Sequence, residues 1–201
     1  MNNDYFDNHA RVRQFPWSLY HAPLERDLAR FLAEVRGDVL VVGGGLAHEL
    51  DEAPPHLRFT VVDIDPRAIE AVRGRAFAAE VVPAEAPLDR VLGGKFDAIY
   101  AKEVIEHVHQ WPAWLVGLRG SLVPGGRLWL STPNYGEPWL PALESTVLEL
   151  IARRGGFTRR HMHPTRFSRA SLARGLRAAG FAEVDVRVTP TRLALIAHAR
   201  C

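Results

Sequence analysis

The stretch "DVLVVGGGLAHEL", residues 38–50, decides the fold. Val39, Leu40, Val41 and Val42 form an apolar, mostly β-branched run, the composition of a strand covered on both faces. Gly43, Gly44 and Gly45 then end the run. Glycines at the end of a strand permit a tight turn and let a ligand approach the backbone closely. A helix opening after such a turn adds unpaired N–H groups to the same place. The dinucleotide pattern G-x-G-x-x-G would put its last glycine at position 48, which is His48, and this counts against a nicotinamide cofactor.

Further runs of the same kind follow on both sides of helical spacing. "RFTVVDID" at 58–65 predicts a second buried strand, ending in acids. "PRAIEAVRGR" follows with helical spacing; Asp65 is its expected N-cap and Pro66 sits in its first turn. "AEVVPAEAP" at 79–87 predicts a short third strand and "KFDAIYA" at 95–101 a fourth. "EVIEHVHQ" reads as the opening of the next helix, so that Glu103, Glu106 and His107, spaced i, i+3, i+4, share one face. "AWLVGLRGSL" continues as a helix stopped by "VPGG", and "GRLWLSTPN" at 126–134 is the fifth strand. After a helix over "RASLARGLRAAGF", the strands "AEVDVRV" and "LALIAHA" flank Thr189–Pro190–Thr191 and predict an antiparallel hairpin.

Strands alternating with helices predict an α/β, three-layer, mainly parallel sheet. Ligands in such folds sit beyond the carboxyl ends of the strands. The glycine turn, the acids 63 and 65, "AEAP" and "KEVIEH" all fall at that edge. Asp63, about twenty residues after the glycines, is placed to accept both hydroxyls of a ribose.

Composition bounds the class. A hydrophobic fraction of 47% and a charged fraction of 24% over 201 residues are ordinary for a globular chain and fit a single domain, 1–201. No apolar run is long enough to span a membrane. Cys201 is the only cysteine, so no internal disulfide forms, and a reducing cytoplasm is the expected location. Between Leu150 and Ala182 there are eight arginines and no Asp or Glu, more positive charge than the whole chain's +2. That stretch is either a solvated helix face or a field that attracts anions.

Taken in order, "VLVVGGGLA", "FTVVDIDPRAIEAVR", "AEVVPAEAP", "FDAIYAKEVIEHV", "LVPGGRLWLSTPN" and "FSRASLARGLRAAGF" resemble the class I S-adenosylmethionine-dependent methyltransferases, especially the quinone-biosynthesis O-methyltransferase-like branch. The resemblance runs from about Asp38 to Phe181. It implies a Rossmann-like fold with a seven-stranded sheet whose last strand is antiparallel, and S-adenosyl-L-methionine as cofactor. By resemblance, Gly43, Gly44 and Gly45 would line the methionine moiety. Asp63 would hold the ribose, Ile64 would pack on the adenine, and Ala84 and Glu85 would lie at the adenine edge. Ala101 and Lys102 would face the methionine end. The chain departs from the pattern at Val41, where the family often has an acid, at Ala47, where it has glycine, and at Pro83. Ala47 is tolerable if it is helical, and the missing acid removes an anchor for the cofactor's amino group or the turn.

The expected reaction is methyl transfer to oxygen of a small hydroxylated molecule, acidic or aromatic, with His107 as base and Glu106 or Glu103 orienting it. Tyr20, Trp139 and His161 are expected to contact the substrate. Residues 1–37 read as an N-terminal helical lid and 137–163 as an insertion covering the substrate. No stable nucleic-acid contact and no metal are expected. The main alternative reading follows from a similarity of "EVIEH" to the metal site of small-RNA 3′-terminal 2′-O-methyltransferases. It would require Glu103, Glu106 and His107 to join His161 or His163 around a divalent cation. A second alternative is a degenerate cofactor-binding or scaffold subunit.

Overall fold

The computed structural model describes Phe15 and residues 18–83, 86–138 and 164–201. In chain order the elements are α1 (Ser18–Glu34), β1 (Gly37–Val42), α2 (Glu49–Glu52), β2 (Leu57–Asp63), α3 (Pro66–Val72), β3 (Ala78–Val81), α4 (Leu88–Val91) and β4 (Phe96–Lys102). A 3-10 turn (Ile105–His107) leads to α5 (Trp111–Gly120), β5 (Leu122–Pro133), α6 (Arg169–Ala178), β6 (Ala182–Val188) and β7 (Ala194–Arg200).

The strands form one seven-stranded sheet in the order β3-β2-β1-β4-β5-β7-β6. β1 through β5 pair in parallel, whereas β7 enters antiparallel between β5 and β6. The expected C-terminal hairpin is therefore present.

Alternation along the strands builds two cores. Leu40 and Val42 face one side, with Ile99, Leu128, Leu130 and the α5 and α6 residues Leu115, Leu118, Leu172 and Leu176. Val39 and Val41 face the other, with Trp129, Tyr100 and the α1 residues Leu24, Leu28, Phe31 and Leu32. Burying each of these leucines contributes about 1.5–3 kcal/mol. The α1 set falls at i, i+4, i+7, i+8, the stripe of an amphipathic helix. Residues 18–34, read as part of a lid, are thus a structural layer of the core.

Local chemistry explains the helix starts. The Asp65 carboxylate accepts from Arg67 N at 2.8 Å, with Pro66 in the first turn, as expected. Ser168 and Ser171 form a capping box at the start of α6.

The main correction concerns "KEVIEH". It does not open a long helix. Glu103 lies in the left-handed region at φ 58°, and only Ile105–His107 make a 3-10 turn before α5 begins at Trp111. The three residues consequently do not share a helical face: Glu106 is buried and His107 is exposed. Strand five also starts earlier than expected. Phe96 already pairs with Leu122, and the "PGG" segment is absorbed as an irregularity between Phe96 and Ala98.

Candidate functional site

The glycine turn is fixed by both conformation and space. Gly43 and Gly45 adopt φ 68° and 53°. A Cβ on Gly43 would sit 2.4 Å from a Val104 methyl, and one on Gly44 would sit 2.6 Å from a Val61 methyl. The turn therefore needs glycine at 43 and 44 for close packing of the chain itself. Ala47 does not meet the condition of being helical: its φ is 42°, a left-handed conformation that disfavours a Cβ. Arg75 braces this turn, donating to the Leu46 carbonyl at 2.6 Å and the Ala47 carbonyl at 3.3 Å.

β2 delivers Asp63 beside this turn. Its carboxylate accepts from Gly45 N at 3.0 Å and from Asp65 N at 2.9 Å. A carboxylate has about four lone-pair positions, so acceptor capacity remains for a ligand's hydroxyls. Next to it, Ile64 is 64% exposed, an apolar surface at the edge of the sheet.

Near the end of β4, Ala101 is fully buried and presents no surface to a cleft, contrary to the expectation that it faces the methionine end. The Lys102 ammonium forms an ion pair with Glu49, the first residue of α2. Both side chains are largely buried, with 18% and 13% exposure. Burial works to raise the Glu49 carboxyl, but the charge and hydrogen bond of Lys102 outweigh it and hold the group below its ordinary value. In the adjacent core, the Tyr100 hydroxyl is buried with no hydrogen-bond partner among the described residues. Burial raises its pKa well above the ordinary value, and the Glu49 charge adds to the shift.

Glu103 and Glu106 form the interior of the next turn. Glu103 accepts a hydrogen bond from the Tyr20 hydroxyl and another from Ser131 Oγ at 2.8 Å, while its own N–H donates to the Ser131 carbonyl at 3.2 Å. These contacts hold the left-handed backbone at Glu103 in place. Glu106 is 1% exposed and accepts from Thr132 Oγ1 at 3.0 Å. Its carbonyl accepts from Thr165 N at 3.2 Å. Burial raises the Glu106 carboxyl well above its ordinary value, reinforced by the Glu103 charge. Burial also raises Glu103, against the opposing hydrogen bonds from Tyr20 and Ser131.

Of the residues expected at the site, the structure joins Gly45 to Asp63 and sets Tyr20 against Glu103. His107 is exposed at the rim of the turn. Ala84, Glu85, Trp139 and His161 lie outside the described residues, as does His163. Among the described residues no group of three or more His, Cys, Asp or Glu is arranged to hold a metal. Glu49, Tyr100 and Val104 were not singled out by the sequence, because a glutamate at a helix start and an apolar residue in a turn carry no motif. A cavity of about 340 Å³ lies elsewhere, between α1 and strands β5, β7 and β6. Most of its arginines are already paired, Arg127 with Glu34, Arg187 with Asp185 and Arg200 with Glu183.

The family described as "Methyltransferase domain" matches residues 17–186. The chain belongs to this methyltransferase domain family. The methyltransferase domain is 32% identical over 152 residues to the ubiquinone biosynthesis O-methyltransferase of Xanthomonas axonopodis pv. citri (strain 306), covering 72% of this chain and 61% of that relative. The chain thus spans less than two thirds of that protein. Among solved structures it resembles a SAM dependent methyltransferase from Archaeoglobus fulgidus, with TM-score 0.71 and 14% identity, covering 98% of this chain and all of the other. It also resembles magnesium protoporphyrin IX methyltransferase from Synechocystis PCC 6803 with bound SAH, with TM-score 0.66 and 19% identity over 99% and 95% of the two chains. At these identities the two likenesses speak for the fold. The seven-stranded methyltransferase domain with antiparallel β7 agrees with the fold expected from the sequence.

Among the described residues no helix is long and apolar enough to cross a membrane.

Proposed function

We propose that this methyltransferase domain binds S-adenosyl-L-methionine and transfers its methyl group to an oxygen of a small hydroxylated molecule. One observation carries the reading. The glycine turn bonded to Asp63, an exposed Ile64, the Lys102–Glu49 pair and the acid turn with His107 follow the carboxyl ends of the neighbouring strands β1, β2 and β4. These groups fit the cofactor: spare carboxylate acceptors for ribose hydroxyls, an apolar surface for a base, and both charges for an amino-acid end. When bound, the cofactor supplies a methyl group activated by its sulfonium. The family relative that acts on oxygen supports an oxygen acceptor.

The protein's share is mainly positioning, because holding two reactants in line removes much of the entropic barrier. His107, on the exposed side of the 3-10 turn, takes the proton from the acceptor hydroxyl. Glu106 acts as a positioning residue: anchored to Thr132 and Thr165, it fixes the turn that carries His107. Tyr20, tied to Glu103, contributes a polar wall from α1.

The test measures turnover with radiolabelled cofactor against a panel of small hydroxylated aromatic acids and a matched panel of amines. Methyl transfer to the hydroxylated panel, cut about 10²–10⁴-fold by His107→Ala with S-adenosylhomocysteine affinity retained, is the expected result. Transfer to amines alone would overturn the oxygen assignment. Unchanged turnover in His107→Ala would remove His107 as the base.

A further inference from the structure

We infer that Glu49 and Lys102 together recognise the amino-acid end of the cofactor, with Glu49 standing in for the acid that Val41 lacks. This deepens the cofactor reading above and rests on it.

Three observations converge. First, Val41 is buried in β1, so this chain has no carboxylate at that position. Val41 pairs across the sheet with Tyr100, and both face the same core. Second, Glu49 reaches this neighbourhood from the other side of the glycine turn. It is the first residue of α2, only four positions after Gly45, and its carboxylate joins Lys102 at the carboxyl end of β4. Third, the Tyr100 hydroxyl is buried with no partner among the described residues, in the field of the Glu49 carboxylate. A buried polar atom with no partner is uncommon in a native interior and calls for an explanation. The site of the missing acid thus carries an orphan hydroxyl, and the nearby negative charge comes from Glu49.

The chemistry of the pair fits one class of ligand group. The amino-acid end of the cofactor is a zwitterion, an ammonium and a carboxylate on one carbon. A zwitterion set head-to-tail against an ion pair places each charge beside its opposite. Lys102 takes the carboxylate and Glu49 the ammonium. Neither protein charge is left buried and unpaired with or without the ligand, which matters because such a charge is costly. Both side chains keep some exposure, so the pair is reachable from the edge.

The experiment compares two probes by titration calorimetry. S-adenosylhomocysteine has the amino-acid end; 5′-methylthioadenosine has the same nucleoside without it. For wild-type protein both bind. Glu49→Gln and, separately, Lys102→Met weaken S-adenosylhomocysteine about ten- to a hundredfold, the value of a lost charged hydrogen bond. Both leave 5′-methylthioadenosine within about twofold, which also shows that the variants are folded. If Glu49→Gln leaves the ratio of the two affinities unchanged, the assignment of Glu49 is overturned while the cofactor reading stands. The assignment fails in the same way if Glu49→Gln weakens both probes equally, because Glu49 then acts through the turn. Wild-type protein that binds neither probe overturns the cofactor reading and this inference with it.

Discussion

Substituting Gly43 by alanine tests the geometry on which the site depends. The residue adopts φ 68°, and a Cβ there would lie 2.4 Å from Val104 Cγ2. Two separable costs follow. A left-handed alanine costs roughly 1–2 kcal/mol. Forcing a methyl into an occupied space costs about 1–3 kcal/mol more. A gain of about 0.4–1 kcal/mol returns from the less flexible unfolded chain. Gly43→Ala is therefore expected to destabilise by about 1–4.6 kcal/mol.

Val104 supplies the control, because it is the side chain in the way. Val104→Ala alone removes two partly buried methyls, for about 1–1.5 kcal/mol. In the double variant the clash is gone while the backbone cost stays. The double variant is then less destabilised than the sum of the singles, by about 1–3 kcal/mol. Urea denaturation of the four proteins measures the cycle. A coupling near zero would refute the close approach of Val104 to the turn. A Gly43→Ala protein as stable as wild type would refute the left-handed turn as well. The cycle also bears on function, since Val104 lies beside the strained Glu103 and joins the glycine turn to the acid turn.

Other outcomes are expected of the same geometry. Asp63→Ala should weaken S-adenosylhomocysteine by about tenfold or more, since hydrogen bonds to a charged group are worth about 1.5–3 kcal/mol, and Asp63→Asn should lose less; equal affinity in all three proteins on calorimetry would remove Asp63 from the site. Glu106 has a folded pKa raised by burial, so its contribution to stability is complete below the unfolded carboxyl range and is lost as pH rises through the folded value. Glu106→Gln cannot ionise, so its Tm relative to wild type should climb as pH rises above the unfolded carboxyl's pKa of about 4.3; a difference that stays flat would contradict the burial. Asp27 accepts from Trp129 Nε1 at 2.9 Å and Trp129 is fully buried, so Asp27→Ala should cost about 1–3 kcal/mol in urea denaturation, and a neutral result would mean the indole finds another partner.

Much of the architecture was legible because parallel strands need cover on both faces. "VLVV" and "FTVV" show that need directly as unbroken apolar runs, and the Asp65–Pro66 start of α3 follows from capping chemistry alone. The acid turn was not legible for a physical reason. Helical spacing at 103, 106 and 107 is a statement about pattern, but Ser131 and Tyr20 capture Glu103 from distant parts of the chain and hold its backbone left-handed. Tertiary contacts of this kind leave no local trace. Ala47 illustrates the same limit: the substitution of the family glycine was visible, yet only the structure shows that the left-handed turn persists without it. The Lys102–Glu49 pair spans 53 positions, and nothing in either segment announces the other.

Two of the left-handed positions, Ala47 and Glu103, have a common logic. Ala47 follows the turn after β1 and Glu103 follows β4, the neighbouring strand. Each sits at the carboxyl edge, where the chain must change direction within a few residues to leave the cleft open. A left-handed residue does this more sharply than a helical one, at a cost that surrounding contacts must offset. At 47 the offset comes from Arg75, which grips two carbonyls of the turn; at 103 it comes from Ser131 and Tyr20. Between them, Val104 packs against Gly43 and Lys102 binds Glu49, so each turn is held partly by the other. A disturbance at either one therefore reaches both the expected cofactor edge and the turn that carries His107. That mutual support explains how the methyltransferase edge keeps its shape although Val41 and Ala47 depart from the family pattern.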